Sequence, residues 1–340
     1  MLTVRRGTWT QLRNESRASP YCRIGVVLFA MIGAVNSGCT GFSPRTVLDL
    51  THPIPTYQSL ADNPVRPDLN KPLSDIKPYP IYGEQAVQWL RQIPTNHGHI
   101  ESGRVTLWEH QGTHMDAPSH FLNNAGSLER GQSPSDARSK AHDIAASRLV
   151  GPVVMLDISH RVHQELQKNG GRPSVDKNVT NFSESSTAVV TSDDINSIAP
   201  KLTDGSWLVV NLGWSQFFTL EPSVPKSPYI NGFNHPGFSR KAIDRLVDEL
   251  DRRGVKLSGI VIDNIAVETG QVAHGDDDKR TNALHGHVRL LQRGILLVEN
   301  AANLDKLATA TRNGACLIVV GAIRLGNGTG APARVIGICQ

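Results

Sequence analysis

Cysteine is scarce in this chain: four in 340 residues, none of them in Cys-x-x-Cys spacing. That excludes a thiolate zinc module and leaves any metal to other donors. An excess of one charge sign is also missing. Lys and Arg number 35 against 31 Asp and Glu, giving +4, and no run of five or more basic residues occurs. Aromatic and basic residues do not interleave, so the footprint of a nucleic-acid binder is absent. No repeat period is visible. The apolar stretch at 24–35 covers twelve positions, short of the ~20 that a bilayer span needs. What is present suits a globular domain. Hydrophobic residues make up 39%, enough for a core, while 30 Gly and 20 Pro imply many turns. About 300 residues beyond the N-terminal segment correspond to one large domain.

The stretch at 24–35 follows arginines at 5, 6, 13, 17 and 23 and precedes Asn36-Ser37-Gly38-Cys39. A basic flank, a short apolar core and small residues make a secretory signal. Residues 1–39 are therefore expected to be a signal peptide, with a domain at 40–340 exported to the periplasm. Ser37-Gly38-Cys39 is similar to the end of a lipoprotein cleavage box, with Cys39 as the lipidated residue; Asn36 stands where an apolar residue is usual. That anchor is the only membrane contact expected. Cys316 and Cys339 sit in apolar, strand-like runs, where a disulfide and two buried thiols are both open.

Residues 110–120 read His-Gln-Gly-Thr-His-Met-Asp-Ala-Pro-Ser-His. Imidazole nitrogen and carboxylate oxygen are the donors a borderline divalent cation prefers. In an extended segment alternate side chains share a face, so His114, Asp116 and His120 line one side. Gly112 lets the backbone bend and bring His110 to the same point. Pro118 forbids a helix through the segment and favours an extended approach at Ala117. Farther along, His287 starts a helical pattern that stops at Gly294, and the apolar run 295–298 reads as a buried strand ending at Glu299. Taken alone, Glu299 either solvates a strand end or delivers a ligand, and His287 is as readily a capping residue.

Several blocks occur together in order: Val-Leu-Asp-Leu-Thr-His at 47–52, the histidine block with Phe121, Gly-Trp-Ser at 213–215 and Gly-Ile-Val-Ile-Asp at 259–263. His287 through Glu299 with Asn300, and Gly-Thr-Gly-Ala-Pro-Ala-Arg-Val at 328–335, complete the set. On these the chain resembles the metal-dependent cyclase family, which includes bacterial kynurenine formamidase, isatin hydrolase and polyketide-type cyclases. The resemblance covers about residues 45–340. It implies that His110, His114 and Asp116 hold a first metal, and that Asp116 bridges to a second held by His287 and Glu299. It also implies that His120 is catalytic. His285 is a rival to His287, which fits the family's spacing to Glu299 better. Leu212, where relatives often carry Thr, and Asn-Ile-Ala-Val-Glu at 264–268, where Thr-x-Ser-x-Asp is expected, are departures near the substrate end.

A divalent cation with an open position makes water acidic enough to ionise near neutrality and polarises a carbonyl. The expected function is hydrolysis of a carbon–nitrogen bond in a small aryl formamide or cyclic amide. N-formylkynurenine, from tryptophan catabolism, is the first choice, and an isatin-like lactam its rival. His120 would carry protons to the leaving nitrogen; a further ligand or a ligand-orienting residue are its alternatives. A cyclase or dehydratase using the metal as Lewis acid, and a silent metal-dependent binder, are the other readings. The donors permit Zn²⁺, Mn²⁺ or Fe²⁺, as one or two ions. Trp214 would stack on an aromatic substrate or fill the core. Relatives imply a homo-oligomer.

The pattern predicts strands at 47–50, 105–108, 153–158, 207–212, 259–262, 295–298, 316–323 and 333–338, with helices at 192–198, 239–253 and 287–293. Stretches at about 57–105, 161–190 and 216–236 are longer than in relatives, and 161–190 and 221–237 read as loops. Many strands and few helices match the α/β, swivelling β/β/α-type single domain with loop insertions that the resemblance implies.

Overall fold

The computed structural model describes residues 46–53, 89–95, 98–104, 108–121, 138–218, 227–274 and 283–340, with 89–95 and 98–104 described at the level of the backbone. Residues 1–39, and with them Cys39 and the signal-peptide expectation, lie outside the described residues.

Among the described residues there are ten strands: β1 Thr46–Asp49, β2 Trp89–Thr95, β3 Gly98–Arg104, β4 His114–Asp116, β5 Val150–Asp157, β6 Trp207–Asn211, β7 Gly259–Ile262, β8 Leu296–Glu299, β9 Cys316–Ala322 and β10 Gly330–Cys339. Seven of them close a barrel in the order β10-β4-β8-β7-β6-β5-β9, sealed by the β9–β10 pairing, and β1 adds to the free part of the β10 edge. β5 through β8 in this ring run parallel, joined by helical crossovers; the remaining pairings are antiparallel. β2 and β3 form a separate hairpin. The molecule is thus a mixed α/β domain built on a closed barrel.

The helices are α1 Ser159–Gln167, α2 Ser192–Ile198, α3 Arg240–Arg253, α4 Gly270–His274, α5 His285–Leu291 and α6 Leu304–Asn313. α3 shows why such segments form. Ser239 Oγ accepts from the amide of Ala242, Gly254 closes the end at φ 65°, and Ile243, Leu246, Val247 and Leu250 bury one stripe. Each of those side chains contributes roughly 1.5–3 kcal/mol by leaving water.

Alternation along the strands separates two cores. Trp207, Val209, Val261, Leu296, Val298 and Met115 share one with Leu304 and Leu307 of α6. Leu208, Val210, Ile260, Ile262 and Leu297 face the other, with side chains of α1, α2, α3 and α5. His114 and Asp116 flank Met115, so they point to the helix-covered side, as does Glu299 two residues beyond Leu297. That alternation places the polar site between sheet and helices.

Most expected strands are found within a few residues of their bounds. Three points differ. Residues 105–107 lie outside the described residues, and Trp108 is not in a strand. The stretch 161–190 is not all loop: α1 runs into it, on a sparse stripe of Val162 and Leu166. The extended segment through the histidine block ends early, because Pro118–Phe121 is a 3₁₀ turn. Proline blocks a helix interior but fits a first turn, where its missing N–H has no partner to lose. Cys316 and Cys339, register partners in β9 and β10, are joined by a disulfide. No helix among the described residues is long and apolar enough to cross a membrane.

Candidate metal centre

Strand pairing brings the two distant blocks together. His114 on β4 lies directly opposite Glu299 on β8, and Asp116 opposite Leu297. Gly112 takes φ 62°, turning the chain so that His110 returns to Asp116. His110 Nδ1 is 2.6 Å from Asp116 Oδ1, and His114 Nε2 is 3.3 Å from the same oxygen. From the other flank, His287 Nε2 at the start of α5 approaches Asp116 Oδ2 at 3.5 Å and Glu299 Oε1 at 3.2 Å. His114 Nε2 stands 3.8 Å from Glu299 Oε2. His120, carried by the 3₁₀ turn, stacks on His110 with ring centroids 3.7 Å apart.

The site is dry. Asp116 is 1% exposed and His287 4%, and Asp116 Oδ2 is a buried oxygen with no acceptable hydrogen bond among the described residues. Isolated buried carboxylates are costly unless paired or metal-bound. The outer nitrogens are anchored so that the inner ones face the carboxylates. His114 Nδ1 donates to the carbonyl of Gly112 at 2.8 Å. His287 Nδ1 lies 2.9 and 3.0 Å from the two oxygens of Glu268, whose Oε1 also accepts the amide of His287 at 2.7 Å. Asn300 supports the first arrangement, donating to Gly112 O and accepting from the Tyr229 hydroxyl at 2.8 Å. Anchored imidazoles around a buried carboxylate, one oxygen of which makes no hydrogen bond among the described residues and faces the His287 ring at 3.5 Å, suit a divalent cation. His110, Asp116 and His120, and separately His114, Asp116 and Glu299, offer donor atoms within 4.8 Å of one another.

Electrostatics in the site follow from this crowding. Burial opposes ionisation of Asp116, but the charge and hydrogen bond of His110, with hydrogen bonds from His114 and His287, hold it well below the usual carboxylate range. Burial disfavours charge on His287 too, and is outweighed by Glu268, Glu299 and Asp116, so its pKa is well raised. Glu299 is pushed up by burial and by Asp116, against the pull of His287. His120 is held down to about 3, chiefly by burial; Asp116 pulls it up, and His110, His287 and His114 push it down. It is neutral at physiological pH.

His285 points elsewhere, its Nε2 2.9 Å from Asp244 on α3, so His287 is the residue that reaches the centre. The substrate role considered for Trp214 is corrected. Its ring is fully buried, edge-on to Phe182 and Phe217, and its Nε1 donates to the Tyr229 carbonyl. It is the core tryptophan of the alternative reading. Glu268, Asn300, Glu109 and Thr329 are parts of the site that sequence reasoning did not assign. Glu268 was visible only as a departure from the expected aspartate, and Thr329 only as one letter of a Gly-rich block.

The Cyclase family, described as "Putative cyclase", matches residues 48–269, and the chain belongs to it. Solved structures share the fold. Isatin hydrolase A from Labrenzia aggregata, bound to benzyl benzoate, superposes with TM-score 0.53 at 21% identity, covering 86% of this chain and 93% of that one. Isatin hydrolase A from Ralstonia solanacearum gives 0.53 at 18%, covering 96% and 100%. An isatin hydrolase bound to the product analogue thioisatinate gives 0.53 at 19%, covering 95% and 99%. No curated protein sequence matches the chain.

Proposed function

We propose that the chain is a divalent-metal-dependent amidohydrolase that cleaves the carbon–nitrogen bond of a small aryl formamide or cyclic amide, arylformamidase-like or isatin-hydrolase-like. The observation that carries this is Asp116, buried between His110 and His114 on one flank and His287 and Glu299 on the other. Those five residues would hold Zn²⁺ or Mn²⁺, as one or two ions. A bound divalent cation supplies Lewis acidity, polarising a substrate carbonyl and acidifying water. His120, neutral and stacked against His110, takes the proton from the attacking water and passes it to the leaving nitrogen. The water oxygen bonds to the carbonyl carbon as its proton goes to His120, and the C–N bond breaks as the nitrogen receives that proton; the amine leaves from a formamide and stays tethered in an opened cyclic amide.

The family description supports a second reading, a polyketide-type cyclase or dehydratase in which the same centre stabilises an enolate. The test is the Zn²⁺- or Mn²⁺-loaded protein against N-formylkynurenine, isatin and simple aryl formamides in ¹⁸O-water. Hydrolysis puts label into the product carboxylate; a cyclase leaves it out. Metal binding with no turnover of any substrate would favour a silent binder.

The proposal includes a swivelling β/β/α arrangement of domain 40–340, a homo-oligomeric state and export behind a signal at 1–39. The disulfide between Cys316 and Cys339 supports export, since such bonds persist in oxidising compartments. Globomycin-sensitive mass at Cys39 is the readout for a lipid anchor.

A further inference from the structure

Three imidazoles approach Asp116, and they are not presented in the same way. His114 and His287 each have Nδ1 engaged outward, by the Gly112 carbonyl and by Glu268, so Nε2 faces the centre. His110 is reversed: Nδ1 faces Asp116 at 2.6 Å, and Nε2 faces the hydroxyl of Thr329 at 3.1 Å. The far side of that hydroxyl is fixed. Glu109 Oε2 accepts from the Thr329 amide at 2.7 Å, from the Thr329 hydroxyl at 2.9 Å and from the Gly330 amide at 3.3 Å.

A threonine hydroxyl carries one proton. Given to the Glu109 carboxylate, it leaves Oγ1 only lone pairs to offer His110, so the Nε2 contact runs from ring N–H to hydroxyl oxygen. A neutral imidazole with hydrogen on Nε2 has its lone pair on Nδ1. Nδ1 faces Asp116, so a bound cation would take that lone pair in place of the proton that now joins Nδ1 to Oδ1. The ring has little room to turn over: a Cβ at Gly330 would lie 2.3 Å from His110 Cε1, and His120 stacks on the ring.

We infer that Thr329, anchored by Glu109, is a positioning residue that makes Nδ1 the metal-donating atom of His110, unlike the Nε2 of His114 and His287. The inference rests on the metal-centre reading above and names two residues outside the proposed ligand set.

The test measures Zn²⁺ affinity of the full chain by competition with a chromophoric chelator, together with the visible spectrum of the Co²⁺ form. Thr329→Val keeps the shape and removes the hydroxyl. It should weaken Zn²⁺ binding by about 10–100-fold and shift the Co²⁺ bands, and Thr329→Ser should restore both. Glu109→Gln, which leaves the threonine in place, should weaken binding in the same direction by a smaller factor. Wild-type affinity and spectrum in folded Thr329→Val overturn this inference alone. Failure of Ser to restore also overturns it. If Val does not fold, unchanged affinity in Glu109→Gln overturns it. A wild-type chain that binds neither Zn²⁺ nor Co²⁺ overturns the metal centre as well.

Discussion

The two flanks of the centre are built on different plans. The early flank, His110 and His120, is partly open: the His110 side chain is 16% exposed, and its outer nitrogen meets a hydroxyl backed by the part-buried Glu109. The late flank is sealed. Glu268 is fully buried, the side chains of His287 and Glu299 are 5% and 4% exposed, and Glu268 grips both the ring and the amide of His287. Electrostatic interactions strengthen as water is excluded. The sealed flank is therefore the place to hold charge, and under the proposed function the open flank is where substrate would enter and protons would leave. His120, neutral and on the open side, fits the second task.

Asp116 belongs to both flanks, so Asp116→Asn should erase the distinction with the largest effect: metal content falls to background and turnover with it, read by elemental analysis and amide hydrolysis. His120→Ala should break the open flank alone, keeping near-stoichiometric metal while turnover drops by about 10²–10⁴-fold. Metal loss in that variant would make His120 a ligand. Glu268→Gln should loosen the sealed flank, lowering metal affinity by about 10–100-fold with the fold retained; unchanged affinity would mean that Glu268 only packs.

A last effect, on stability and not on the metal, concerns Asp263, beside the sealed flank in sequence. Burial pushes its carboxyl up to about 6, against the pull of the Leu212, Ser215 and Trp214 amides. A raised folded-state pKa means its contribution is fully present below the unfolded value near 3.8 and is lost as pH rises through about 6. From this group, stability should fall by roughly 3 kcal/mol between about pH 3 and pH 7, since the pKa values are about two units apart and one unit corresponds to about 1.4 kcal/mol. Unfolding free energies from denaturant titrations should fall across that range by this amount more in wild type than in Asp263→Asn.

Much of the centre was legible because its chemistry is local. His110, His114 and Asp116 sit within seven positions, and no common structural pattern needs that set of side chains. Strands such as 259–262 and helix 239–253 were legible from apolar runs, periodicity and caps. Glu268 was not, because its role is to meet His287 across 19 residues, and nothing in either segment encodes the meeting. Trp214 was ambiguous for the same reason: whether an indole faces substrate or core depends on Phe182 and Tyr229, far away in sequence. The Pro118 turn was misread as extended because a proline that blocks helix interiors also starts short helical turns.

The most direct test of the account is the metal content of the purified chain before and after dialysis against a strong chelator, with thermal melting of both forms. The account predicts about one or two equivalents of a divalent cation, removal by the chelator, a lower melting temperature and recovery on adding Zn²⁺ or Mn²⁺. A chain that is metal-free as purified, melts identically with and without chelator and takes up neither ion would contradict it.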